Sequence, residues 1–199
     1  MNIRAYIPKF VLILSGLLLM SCLLPGMIPL NQEPALPLPT MEKDAQKVIE
    51  ALNEKNYVRL EELAEEKYTE DLAKPGTRIF TVKITDEKKP TYFGYGWCTT
   101  TKEILTQNVE HMKVKLYFNE DLLGSDVIHP LSITRSDGLV CVDFGVLMSE
   151  WTNGEYKLKA VATFDDKIND GIADYPAGDY VFEYNVTVTK SEKKTPPAS

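Results

Sequence analysis

The chain has 199 residues, of which 44% are hydrophobic and 26% charged, and its formal net charge is −7. That is the composition of a globular protein long enough to bury one core of its own. An acidic balance with no basic run excludes a nucleic-acid footprint and a polybasic membrane patch.

Residues 1–21 read as an export leader. Arg4 and Lys9 supply a positive start, and Phe10 to Met20 form an apolar run broken by Ser15 and Gly16. The run is shorter than the roughly 20 residues a bilayer-spanning helix needs and has the length of a secretory h-region. It ends in Leu19-Met20-Ser21-Cys22, which resembles the lipobox of bacterial lipoproteins. The resemblance implies cleavage before Cys22 and acylation of that cysteine, with palmitate among its chains. The protein is then exported and held by lipid on the cell surface or the periplasmic side. A second acyl chain is what turns marginal membrane binding into stable anchoring. Removing the leader, which carries two basic residues and no acid, takes the net charge from −7 to −9. Beyond Cys22 only Cys98 and Cys141 remain, and in an exported chain such a pair reads as one disulfide more naturally than as a metal site. Two separate thiols are the alternative.

Residues 22–40 carry Pro25, Pro29, Pro34, Pro37 and Pro39, a density that favours an extended tether. Residues 41–76 follow a helical pattern. Thr40 is the expected N-cap, Ala45, Val48, Ile49 and Leu52 share one face, and a break at Asn53 to Asn56 precedes a second short helix with Leu60, Leu63, Ala64 and Tyr68. Pro75-Gly76 ends it. Helices this short are marginal alone, so the segment is expected to pack on the domain that follows.

Across residues 77–189 the period drops to two. Phe80, Val82 and Ile84 alternate with Thr81 and Lys83, Phe93, Tyr95 and Trp97 with Gly94 and Gly96, and Val114, Leu116 and Phe118 with Lys115 and Tyr117. Further strands are expected at Val127 to Thr134, Leu139 to Leu147, Tyr156 to Phe164 and Tyr180 to Val188, with turns at Asp137-Gly138 and Asn153-Gly154. Lys102 to Met112 fits either a short helix or a poor strand, and Pro130 marks its strand as an edge. Residues 190–199 are polar, end near Pro196-Pro197 and are expected to be disordered.

About seven strands predict a mainly β fold, an antiparallel β-sandwich. The run from Leu147 through Trp151 and Asn153-Gly154 to Tyr156 resembles the E–F corner of immunoglobulin-like and fibronectin-like domains, where a tyrosine hydroxyl bonds back to the corner backbone. The resemblance makes Leu139 to Leu147 strand E, Tyr156 to Phe164 strand F and Tyr180 to Val188 strand G. Strand parity turns Cys98 and Cys141 away from the heavier apolar face. That suits a bridge between neighbouring strands B and E rather than one crossing the core. Phe93, Tyr95 and Trp97 share one face of their strand; because cores claim most large aromatics they are expected to be a core face, an exposed sugar-binding platform being the alternative with the same spacing, and Trp151 is expected to plug one end.

Residues for catalysis are few. His111 and His129 have no metal-ligand spacing, and no nucleophile elbow or phosphate-binding loop occurs. In the loop 165–179, Asp166, Asn169, Asp170 and Asp174 are candidate calcium ligands, although their spacing departs from the EF-hand pattern; acids solvated beside tight turns are the other reading. The reading that results is a lipid-anchored protein with a non-catalytic binding or structural role at the cell envelope, and a protein or glycan partner. A calcium-dependent glycan-binding module on the acidic loop, and an enzyme of unrecognised type, are the alternatives.

Overall fold

Successive side chains of a strand point to opposite faces, and the runs that alternate in this sequence pack their apolar faces against one another. The computed structural model describes residues 37–65, 72–85 and 89–189. The leader, the Cys22 acylation site, the tether up to residue 36 and the tail lie outside the described residues. In chain order the elements are β1 (Thr40–Met41), α1 (Ala45–Asn53), β2 (Val58–Arg59), a 3-10 turn (Leu60–Leu63), β3 (Gly76–Ile84), β4 (Thr91–Thr99), α2 (Lys102–Glu110), β5 (Met112–Phe118), β6 (Asp121–Leu122), β7 (His129–Thr134), β8 (Val140–Ser149), β9 (Gly154–Phe164), β10 (Ile168–Asn169), β11 (Asp174–Tyr175) and β12 (Gly178–Val188).

One sheet runs β3-β12-β9-β5-β6. In the other, β8 pairs with β4 on one side and with β7 and β1 on the other, while β2 joins β4 at Thr91 and Tyr92. This is an immunoglobulin-like sandwich, with β4, β7 and β8 as strands B, D and E, and β5, β9 and β12 as C, F and G. It is not purely antiparallel: β3 runs parallel to β12 and β2 parallel to β4. The two strands β2 and β3 thus lie in different sheets, each beside a strand of its own direction.

The core fills the space between the sheets. Phe80, Val82, Phe93, Leu116, Val146, Leu158, Tyr184 and Val186 form its larger part, and Trp97, Val142, Ala162, Phe164 and Tyr180 continue it toward the other end. The expected corner is present. The Tyr156 hydroxyl donates to the Thr152 carbonyl at 3.1 Å, and Trp151 closes that end of the core and donates from Nε1 to Thr91 Oγ1 at 2.9 Å.

The segment before the sandwich departs from expectation twice. Asp44, not Thr40, caps α1, accepting from Gln46 N at 2.9 Å, because Thr40 is already engaged in β1. Over its described part, the expected second helix gives way to β2 and one 3-10 turn, in which Leu60 is buried in the core, while Tyr68 lies outside the described residues. Burial of Leu60 against β-strands overrides a weak local helical pattern. Lys102 to Glu110 is a helix, capped by the Thr101 hydroxyl, which accepts from Ile104 N at 3.3 Å.

Candidate functional site

The face of β4 and β8 that points away from the core carries Tyr92, Gly94, Gly96 and Cys98 on one strand, opposite Leu147, Gly145, Asp143 and Cys141 on the other. Cys98 and Cys141 sit directly across from each other and are joined by a disulfide, the B–E bridge that parity predicts. Glycine opens this face. A Cβ on Gly145 would come within 2.2 Å of the Tyr92 ring, and one on Gly96 within 3.2 Å of Asp143 Oδ1. Tyr92 therefore lies across Gly145, and Asp143 lies against Gly96.

Arg59 completes the arrangement. It leaves β2 beside Tyr92, passes over the Tyr92 ring at 5.5 Å from its centroid and donates to Asp143 Oδ2. Glu61 Oε1 lies 3.6 Å from the same guanidinium. The Asp143 side chain is only 5% exposed. Its other oxygen, Oδ1, and the Tyr92 hydroxyl are buried with no hydrogen-bond partner among the described residues. Burial alone would lower the Arg59 pKa, but the charge and hydrogen bond of Asp143 outweigh it and hold the guanidinium firmly ionised. Burial, reinforced by the Asp143 charge, pushes the Tyr92 hydroxyl far above its usual range. Burial also raises the Glu61 carboxyl, against the opposing pull of Arg59.

Two cavities open on this face. One, of about 430 Å³, is lined by the disulfide and Asp143 and extends past Gly94 and Gly96 to Tyr95, Phe182 and Tyr184. The other, of about 760 Å³, lies between α1 and β7 and is walled by Ile49, Leu52, Tyr57, Leu131 and Ile133. Arg59, Ile133 and Arg135 line both, so the two form one trough. Helix α1 is held over its end by a small apolar cluster in which Val48, Tyr92 and Leu147 are buried together.

The other sequence-predicted residues fall elsewhere. Phe93 and Trp97 are core residues and Tyr95 is half-buried beside Phe182, so the aromatic stripe faces inward. His111 Nδ1 pairs with Asp165 Oδ1 at 2.9 Å on an exposed surface, and His129 Nε2 bonds the Glu42 carbonyl at 3.3 Å. Asp166, Asn169, Asp170 and Asp174 are each engaged in hydrogen bonds within the loop. Asp170 Oδ1 accepts from Ile172 N and Ala173 N, both at 2.7 Å, Asn169 Oδ1 accepts from Gly171 N at 2.6 Å, and Asp166 Oδ1 accepts from Lys167 N at 2.7 Å. Asp174 takes a hydrogen bond from Asn169 Nδ2 at 2.8 Å and an ion pair from Lys167 at 2.7 Å, and these hold its pKa below the usual value. The loop's oxygens serve its own turns, and among the described residues no three His, Cys, Asp or Glu gather as a metal site. The Arg59–Asp143 pair was hidden in the sequence because Arg59 sat in a segment that reads as helical. The available signal was an outward-facing aspartate among Gly94, Gly96 and Gly145.

No family model and no curated protein matches this chain. Among solved structures, a cysteine protease inhibitor of Entamoeba histolytica overlaps 67% of this chain and 95% of its own, at 6% identity and a TM-score of 0.29. The fold assignment therefore rests on the strand order and the tyrosine corner.

Proposed function

We propose that this protein is an exported lipoprotein, anchored through Cys22, whose sandwich binds a partner at the cell envelope without catalysing a reaction. The observation that carries the reading is the half-matched ion pair of Arg59 and Asp143 in the outer-face trough. Ion pairs this withdrawn from water often add less stability than apolar residues of the same volume, so stability alone gives a spacer little reason to keep one. A pocket with apolar walls and a few fixed polar groups is instead the usual form of a recognition site.

Two experiments test the reading. Cys22→Ala should abolish palmitate labelling and leave the protein as precursor or free of membranes, and retention with label intact would contradict the anchor. A photo-crosslinking side chain at Ser132, beside the trough, should give defined adducts in native cells. The same side chain at Lys115, on the opposite sheet, should not. Adducts from Lys115 alone would move the binding surface away from the trough.

A further inference from the structure

We propose that the trough receives an extended segment of a partner polypeptide, which adds as a strand to the free edge of β7 and sets a carboxylate against Lys55. This deepens the preceding reading and rests on the trough being the binding surface.

The first observation is the backbone of β7. It pairs with β8 along one side, and its other edge has no strand partner among the described residues. Arg135 N donates to Leu139 O at 2.9 Å at the hairpin end, which marks that pair as hydrogen-bonded. Bonded and non-bonded pairs alternate along an antiparallel ladder. Ile133, Leu131 and His129 therefore turn their amides toward β8, whereas Thr134, Ser132 and Pro130 turn theirs outward. Pro130 stands where its missing N–H breaks no ladder bond. Ser132 and Thr134 are left with donors and acceptors facing an incoming chain.

The second observation is the apolar wall beside that edge. Ile49, Leu52 and Tyr57 face Leu131 and Ile133 across a cavity of about 760 Å³. An added strand sends every second side chain to one face, so its alternate residues enter the cavity while its backbone bonds the edge.

The third is charge. The cavity is lined by Lys55, Arg59 and Arg135 against one acid, Glu62, in a chain of net charge −7. Arg59 and Arg135 are already paired with Asp143 and Asp137, but Lys55 has no ion pair among the described residues. Lys55 follows the last turn of α1 in the left-handed conformation, at φ 53°, which fixes where its side chain leaves the backbone. An unmatched ammonium at the rim of an apolar groove selects a carboxylate.

The test uses blocked hexapeptides that alternate valine with glutamate, glutamine or lysine, titrated into the isotope-labelled mature protein and followed by amide NMR. Shifts should centre on Ser132, Thr134 and Lys55. The glutamate peptide should bind about two- to fivefold more tightly than the glutamine peptide, the range of one rim ion pair, and the lysine peptide most weakly. Lys55→Glu, an exposed change that spares the core, should reverse that order. Equal binding of all three peptides, or an order unmoved by Lys55→Glu, overturns the carboxylate assignment. Shifts confined to the Leu131 and Ile133 methyls on adding dodecanoate, with Ser132 and Thr134 amides silent to every peptide, overturn the strand-addition proposal in favour of an amphiphile and leave the trough as the site. Peptide shifts on β5 alone would overturn both this proposal and the reading beneath it.

Discussion

Arg59 reaches Asp143 because the sheet beneath it is made of glycines, and the energetics of that reach are testable. Removing one member of a buried pair strands the other charge, at a cost of about 3–5 kcal/mol when both are fully buried. The Arg59 side chain is 28% exposed, so solvent screens part of the loss. Arg59→Met should cost about 1–3 kcal/mol in urea denaturation, and the double change Arg59→Met with Asp143→Leu should recover most of it. If the double variant is as unstable as the single one, the stranded carboxylate is not the cause. Glu61 gives a pH signature at the same place. Its folded pKa lies above the ordinary 4.5, so the folded state prefers the protonated form. That contribution is full below pH 4.5 and is lost as pH rises through the folded value. Glu61→Gln should therefore gain stability relative to the parent between pH 4 and pH 7; a difference independent of pH would show that burial does not dominate at Glu61.

At the scale of elements, the helix α1 and the strand edges decide the shape of the trough. Val48 is fully buried against Tyr92 and Leu147, so Val48→Ala should cost about 2 kcal/mol and loosen α1 over the cavity. Hydrogen exchange faster in residues 45–53 than in β9 would report this, and an unchanged helix would mean that α1 is held by something else. The long strands were legible because apolar residues recur along them at a period of two, and Pro130 and Tyr156 carry position-specific meaning that a single sequence states; the two-residue strands β1, β2, β6, β10 and β11 are too short to show a period. The 3-10 turn at Leu60 to Leu63 was not legible. Its apolar spacing matches a helix, and only contact with strands far away in sequence decides the matter. Likewise Arg59 and Asp143 lie 84 residues apart, and nothing local announces that they meet. The acidic loop shows the opposite case, since its residues favour turns and the turns consume their oxygens.

At the largest scale, the described residues form an immunoglobulin-like sandwich with one face modified by a helix, a disulfide and a set of glycines. The disulfide links residues 43 apart in sequence, and constraining a loop of that length in the unfolded chain stabilises by about 4 kcal/mol. Denaturation with and without reductant should show a loss of that order, and the double change Cys98→Ala with Cys141→Ala should be insensitive to reductant. The claim that joins all scales is that the outer-face trough is occupied when the protein is at work. Hydrogen exchange of the protein in fractions of its native cells, compared with the purified protein, tests it directly. An occupied trough slows exchange at the outward amides of Ser132 and Thr134 and along residues 45–55, with β5 unchanged. Equal exchange along the trough in both states, or protection confined to β5, would contradict it.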